Sequence, residues 1–152
     1  MFTSNRDYSV STELNLSFEK CTQLLRKCVT EEGLRIIAEI PFHREFERHV
    51  GLPWANYTVF VVWSPFLAYQ AVLSDRDAGI FMPFHLIVAD QGESTIIAAT
   101  NHLLFGRMIA TLGAQLVARE LTQKVRRIFS RLSPPEQATS AASAPAGAKE
   151  TA

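Results

Sequence analysis

The feature that most constrains this chain is an unbroken apolar run, Tyr57-Thr58-Val59-Phe60-Val61-Val62-Trp63. β-Branched and aromatic residues at consecutive positions favour a β-strand, and the lack of polar alternation is typical of a strand with protein on both faces. Pro65 follows directly, where its missing N–H suits the first turn of a helix. The run therefore predicts the core strand of a sheet, with a helix immediately after it.

Four further segments carry strand signals, at residues 7–14, 34–40, 81–89 and 94–100. The last two are separated by a short loop containing Gly92, which predicts an antiparallel hairpin. Apolar residues spaced by three and four predict helices over residues 17–32, 42–50 and 65–74, and a long C-terminal helix ending at Leu132. Residues 101–106 fit neither pattern clearly.

This order of elements predicts an α+β fold: a two-layer domain with a mostly antiparallel five-stranded sheet, helices packed on one face and a long C-terminal helix. A chain of 152 residues has the length of one domain. We expect a flexible N-terminus over residues 1–6, a single domain over 7–132 and a disordered tail over 133–152. The tail is rich in Pro, Ala and Ser and has little to bury.

Charge and hydropathy exclude several classes of protein. Fifteen basic residues balance fifteen acidic ones, so no overall field attracts nucleic acid or an anionic membrane. No segment approaches the roughly 20 apolar residues of a membrane-spanning helix. The first residues show no secretory signal, so a cytoplasmic location is expected. Cys21 and Cys28, seven residues apart on a predicted helix, are about 10 Å apart and are expected to be free thiols.

Four histidines are the natural candidates for chemistry, because imidazole transfers protons and binds metals. His85 lies in an apolar strand, either as a core histidine bonded to a carbonyl or as a ligand or proton-transfer group. His43 and His49 are six residues apart and so about 120° apart around a helix, which does not predict a shared metal. His102 is interpreted as an exposed loop residue.

Two other features have a functional and a structural interpretation. Ser64 follows a buried strand and precedes Pro65, so it is either an exposed nucleophile or the N-cap of the next helix; the absence of flanking glycines favours the cap. The last helix carries an excess of Arg and Lys, which is either a solvated face or a contact for RNA or an acidic partner. Its apolar stripe also suggests packing against a second copy.

Taken together, several short motifs make the chain resemble a family of small α+β domains, domain of unknown function 302 (DUF302). The resemblance runs from about residue 7 to residue 132 and rests on Tyr8, Thr12, Ser17-Phe18, Glu32-Gly33, Ile37-Ala38-Glu39-Ile40, Pro65, Leu67-Ala68, Gly79-Ile80 and Pro83. It implies a compact domain that pairs with itself, and no reaction. Members commonly carry Cys-Asn and Cys where this chain has Trp63-Ser64 and Phe84, so thiol chemistry at those places is not expected.

The resulting functional hypothesis is a homodimeric domain that binds an unidentified small ligand or a partner. Its pocket is predicted between sheet and helices, at Tyr57, Trp63, Ser64, Pro65, Phe84 and His85. The alternative is a haem- or metal-binding protein, or a small enzyme, with its imidazole supplied by His85 or by His43 and His102. The cofactor stays unknown, with haem as one option, and neither a metal site nor nucleic-acid binding is predicted.

Overall fold

A computed structural model describes residues 6–109 and 111–133, and within them five strands form one sheet. The order across the sheet is β1-β5-β4-β3-β2, and every neighbouring pair is antiparallel. The strands are β1 (Ser9–Leu14), β2 (Arg35–Pro41), β3 (Tyr57–Trp63), β4 (Phe84–Asp90) and β5 (Thr95–Thr100). The predicted α+β class, the five-stranded sheet and the β4–β5 hairpin are confirmed.

The apolar strand β3 has a neighbour on each side, but the middle of the sheet is β4. Phe60 and Val62 of β3 are buried in the main core, whereas Val61 and Trp63, which point to the other face, are half-buried. β3 is therefore an interior strand, as predicted, but its outer face is less fully covered than its inner face. Successive side chains of a strand alternate between faces, and the core that the described helices build lies on one face.

Four of the five helices lie close to their predicted positions, and the fourth in chain order forms where the sequence pattern was ambiguous. They are α1 (Phe18–Glu31), α2 (Phe42–Val50), α3 (Pro65–Ser74), α4 (His102–Met108) and α5 (Leu112–Leu132). Ser17 caps α1 by accepting from the Lys20 N–H. Ser64 caps α3 by accepting from the Leu67 N–H at 3.3 Å, which confirms the N-cap interpretation.

The segment before β4 differs from the prediction. Arg76–Phe81 form a 3₁₀ helix, and β4 begins only at Phe84. Pro83 has no N–H to give to a strand pair, which favours a strand that starts after it.

One core unites α1, α3, α5 and the inner face of the sheet. The apolar stripe of α5 is buried inside this core from residue 121 onward, through Leu121, Val125, Ile128, Phe129 and Leu132. Most of the stripe therefore packs within the chain. Only its N-terminal part, at Leu112 and Leu116, stays exposed.

The basic residues of α5 are used inside the chain as well. Glu32, at the C-terminal end of α1, is buried and accepts from Arg127 Nε and Arg131 Nη2, each at 2.9 Å. Lys124 Nζ donates to the Glu32 carbonyl at 2.8 Å. Three of the basic groups that suggested a solvated or RNA-binding face instead join α5 to α1.

The two cysteines are buried and free, as expected, and burial raises the pKa of each thiol. Across the described residues, no helix has the length and hydropathy needed to cross a membrane. The predicted flexible start (1–6) and tail (133–152) lie almost entirely outside the described residues.

Candidate functional site

His102 is the first residue of α4, directly after β5. Asn101, the N-cap of α4, holds the start of this helix through two side-chain hydrogen bonds. Its Oδ1 accepts from the Leu103 N–H at 3.2 Å, and its Nδ2 donates to the Asp7 carbonyl at 2.8 Å. An asparagine N-cap of this kind sets where a helix begins, so the imidazole is held at the junction of β1, β5 and α4.

The imidazole of His102 is 1% exposed and lies between two aromatic rings. It meets Phe84 edge-on with ring centroids 4.5 Å apart, and Phe105 with centroids 5.4 Å apart. Neither ring nitrogen has a hydrogen-bond partner among the described residues. Leaving a buried polar group without a hydrogen-bond partner costs about 1–3 kcal/mol of stability. Buried groups in this state are rare in native proteins.

Burial also determines the charge of this histidine. Desolvation lowers the pKa of His102 to about 4, because the charged imidazolium is disfavoured away from water. At neutral pH the ring is therefore uncharged. One of its nitrogens donates a hydrogen bond and the other accepts one, and both capacities are free for a molecule that reaches them.

A cavity of about 220 Å³ lies beside His102, between β1, β5, α4 and α5. It is smaller than the roughly 300–1,000 Å³ of pockets that hold drug-sized ligands. The residues that line it are Val10, Thr100, Asn101, His102, Leu103, Thr122, Val125 and Arg126. The surroundings combine apolar walls with a few polar groups, which is typical of a small-ligand site.

A second and wider hollow of about 670 Å³ lies between α3 and α5. Large apolar side chains surround it, and three of them are mostly exposed: Phe66 at 67%, Leu73 at 73% and Leu116 at 53%. Glu120 and Lys124 contribute its charged edge. This hollow is wider than the cavity of His102, and its lining is likewise mostly apolar.

The structure does not bring the six predicted pocket residues together. In the β3–β4 register His85 lies opposite Val61, so it shares the outer face of the sheet with Tyr57 and Trp63. Phe84 points the other way, into the core. Ser64 and Pro65 lie at the start of α3, where Ser64 lines the α3–α5 hollow. That these six residues bind a ligand stays a prediction.

Two histidine interpretations are wrong: that of His85 as a buried core histidine, and that of His102 as an exposed loop residue. A ligand or proton-transfer role for His85 stays a prediction. His85 is exposed, because strand alternation turns its neighbours Phe84 and Leu86 inward. His102, expected in an exposed loop, is the buried one. A signal was present in the sequence: Asn101 is a good N-cap, and His102, Phe105 and Ile109 follow at helical spacing. Hydropathy alone ranks histidine as polar and so hides this stripe.

The other two histidines have structural contacts. His43 Nδ1 lies 3.1 Å from the Tyr57 amide nitrogen, which donates to it, and its ring meets Phe18 edge-on. His49 pairs with Glu45 at 3.3 Å on the surface of α2. Among the residues described, no three His, Cys, Asp or Glu side chains come together in a way that would hold a metal ion.

The fold defines a class, that of small α+β domains with a helix-covered sheet. Within that class, the model of the family described as domain of unknown function DUF302 matches residues 10–132. The chain belongs to this family. A crystal structure titled "uncharacterized conserved protein DUF302 from Bacillus stearothermophilus" has a similar fold, with a TM-score of 0.77 and 14% sequence identity over 84% of this chain and 100% of that one. No curated protein matches the chain.

Proposed function

We propose that this protein is a small-ligand-binding domain whose ligand lies in the cavity beside His102. The observation that carries the proposal is an imidazole that is 1% exposed and whose two ring nitrogens find no hydrogen-bond partner among the described residues. A ligand that offers one acceptor and one donor would offset the cost of burying that ring. The cavity next to it supplies the room.

Binding fits the surroundings of His102 better than catalysis does. A neutral imidazole acts as a base only when a group that it can deprotonate lies within hydrogen-bond reach. The nearest hydroxyl in the lining from α5, Thr122, already donates to the Ala118 carbonyl at 2.8 Å. The haem alternative needs far more room than about 220 Å³, since a porphyrin is larger than a drug-sized molecule.

The test is native mass spectrometry of the full chain purified gently from its own source, as wild type, His102→Phe and His85→Phe. We expect the wild type and the His85→Phe control to retain a small molecule, and the His102→Phe variant to lose it. Phenylalanine keeps the ring contacts with Phe84 and Phe105 but removes both nitrogens. A bare chain mass for the wild type, or the same adduct on all three proteins, would contradict the proposal.

We further propose that the chain is a homodimer, joined through the α3–α5 hollow. The supporting observation is the exposure of Phe66, Leu73 and Leu116 around one concave apolar surface, since exposed patches of this kind mark interaction sites. The zero formal net charge adds no repulsion between two copies.

The charges at the edge of the hollow suit a second copy in particular. Glu120 and Lys124 lie one helical turn apart on α5, 3.8 Å from each other. In a two-fold interface, a contact between one residue of the first copy and another residue of the second copy is repeated with the two copies exchanged. A two-fold axis between these residues would place each Glu120 against the other copy's Lys124.

A further inference from the structure

The lining of the His102 cavity carries an uncompensated positive charge. Arg126 is exposed at its edge and is the one charged residue among those that line it, since His102 is neutral at neutral pH. The Arg126 side chain forms no ion pair with any residue that the structure describes. This distinguishes it from Arg127 and Arg131, which are both bound to Glu32.

A separate depression lies between α4 and α5. It has a volume of about 430 Å³, shares Leu103 with the cavity, and is lined by Arg107 and Arg119. Neither arginine pairs with an acid of the described part of the chain, and no acidic side chain from that part lines either space. Arg119 and Arg126 are seven residues apart, two helical turns on one face of α5. Three cations, Arg107, Arg119 and Arg126, therefore line two depressions on the α4–α5 side of the domain.

The nearest acids on α5 and α1 do not cancel this charge. Glu120 interacts with Lys124 and Arg127, each at 3.8 Å, at the α3 side of α5. Glu31 and Glu32 interact with Arg131. The positive potential over the cavity thus stays available to a ligand.

We propose that the ligand is a small organic anion, bound with its apolar body in the His102 cavity and its anionic group at Arg126. The inference rests on the proposed ligand-binding function and adds the chemical class. Val10, Leu103 and Val125 supply the apolar walls, and His102 is the buried histidine of the same lining. An arginine is suited to the outer end because its planar fork donates two parallel hydrogen bonds to a carboxylate or phosphoryl group.

The experiment is a titration of the full ¹⁵N-labelled chain at neutral pH with three probes: benzoate, benzamide and inorganic phosphate. Benzoate and benzamide have nearly the same size and shape but differ in charge. We expect benzoate to shift the amide signals around residues 100–105 and to bind about tenfold more tightly than benzamide, the value of one charge-assisted contact. Phosphate, which has no apolar body, should bind more weakly than benzoate.

Two matched variants locate the charge. Arg126→Gln should lower the affinity for benzoate about tenfold and leave that for benzamide unchanged. Arg44→Gln removes the same charge from an exposed position on α2 and should change neither affinity. Both side chains are exposed, so neither substitution threatens the fold.

The possible failures are distinct. Equal affinity for benzoate and benzamide, or an Arg44→Gln effect as large as that of Arg126→Gln, would overturn the anion assignment while leaving the cavity as a binding site. Phosphate binding as tight as benzoate binding would mean an adventitious ion only. If neither aromatic probe shifts the signals around residues 100–105, the binding site itself is contradicted.

Discussion

The environment of His102 gives this residue its unusual properties. His102 would be an ordinary helix start if its ring reached water, but Phe84 and Phe105 enclose it and leave its nitrogens without partners among the described residues. Natural proteins rarely leave buried polar atoms unsatisfied, and each exception has a physical cause such as a functional role, an ordered water or an ion. Burial costs free energy because the ring nitrogens lose their hydrogen bonds to water. It also keeps the imidazole neutral, so that one nitrogen is a donor and the other an acceptor.

The lowered pKa of His102 makes stability depend on pH. Above pH 6.5 the ring is neutral in both folded and unfolded chains, and the free energy of unfolding does not depend on this group. Between pH 6.5 and about 4 the unfolded chain takes up a proton that the folded chain refuses, so stability falls as pH falls. We expect a loss of about 3 kcal/mol across this window, at about 1.4 kcal/mol per pH unit.

Urea unfolding of the wild type and of His102→Phe, measured from pH 7 to pH 4, checks this expectation. The variant has no imidazole to protonate at position 102 and should lose this part of the pH dependence. His85→Phe removes an exposed histidine from the outer face of the sheet and should keep the full slope of the wild type. If the wild type and His102→Phe show the same slope, His102 is not the buried neutral group described here.

At the scale of elements, the junction between α1 and α5 depends on one carboxylate. Glu32→Gln should lower the free energy of unfolding by about 1–2 kcal/mol, because it removes the buried acceptor of Arg127 and Arg131 while both arginines can turn to water. Chemical denaturation measures the change.

Glu31→Gln is the matched control for that junction. Glu31 is a half-exposed neighbour that interacts with Lys27 at 3.9 Å and Arg131 at 3.7 Å, and exposed pairs of this kind contribute little. We expect a change below about 0.5 kcal/mol. Equal effects of the two substitutions would show that burial of Glu32 does not matter.

A second contact sets how closely α5 can approach α3. A Cβ atom added at Gly113 would lie 2.5 Å from Ser74 Oγ and 2.6 Å from Ser74 Cβ, closer than real Cβ atoms come. Gly113→Ala should therefore destabilise the protein by about 1–3 kcal/mol in thermal or chemical unfolding. Combining it with Ser74→Gly should recover most of the loss.

Gly79 provides the comparison for this contact. A Cβ at Gly79 would meet only Val72, at an ordinary 3.7 Å. Gly79→Ala should change the stability by well under 1 kcal/mol, and a loss as large as that of Gly113→Ala would argue against the close approach of α3 and α5.

Helices and strands could be predicted from the sequence where neighbouring residues determine their bounds. Ser17 and Ser64 announce the starts of α1 and α3, and the apolar run of β3 has its predicted bounds. Signals failed where a distant partner decides. The basic residues of α5 have the pattern of a surface, and only the fold brings Glu32 into contact with them. His102 has the pattern of a loop residue, and only the fold brings Phe84 against it. The site follows from tertiary packing, so a pocket inferred from strand neighbours missed it.

At the scale of the whole molecule, the proposed homodimer makes a direct prediction. The wild type should sediment as a dimer at micromolar concentration. Leu116→Glu, which puts a charge into the α3–α5 hollow, should give a monomer with nearly unchanged stability, since this side chain is 53% exposed in the single chain.

Leu52→Glu introduces the same charge at another exposed leucine, outside both hollows, and should leave the dimer intact. A wild type that sediments as a monomer would contradict the proposed pairing. A dimer that survives Leu116→Glu would place the interface elsewhere on the molecule.

Three positions where the family resemblance implies cysteine or asparagine hold other residues in this chain. Trp63, Ser64 and Phe84 stand where members commonly carry cysteine and asparagine, and the structure uses them for the outer sheet face, a helix cap and the core. The space that could hold a ligand lies at the C-terminal end of β5, next to α4, where His102 contacts Phe84. Function in this chain is therefore proposed for the α4–α5 side of the domain.

The central claim, that His102 is a ligand-contacting group, is tested most directly by the ring ¹⁵N signals of the four histidines before and after adding benzoate. We predict that the two ring nitrogens of His102 shift as benzoate saturates the protein, while those of His43, His49 and His85 stay unchanged. Ring signals of His102 that do not move at saturating benzoate would contradict the claim.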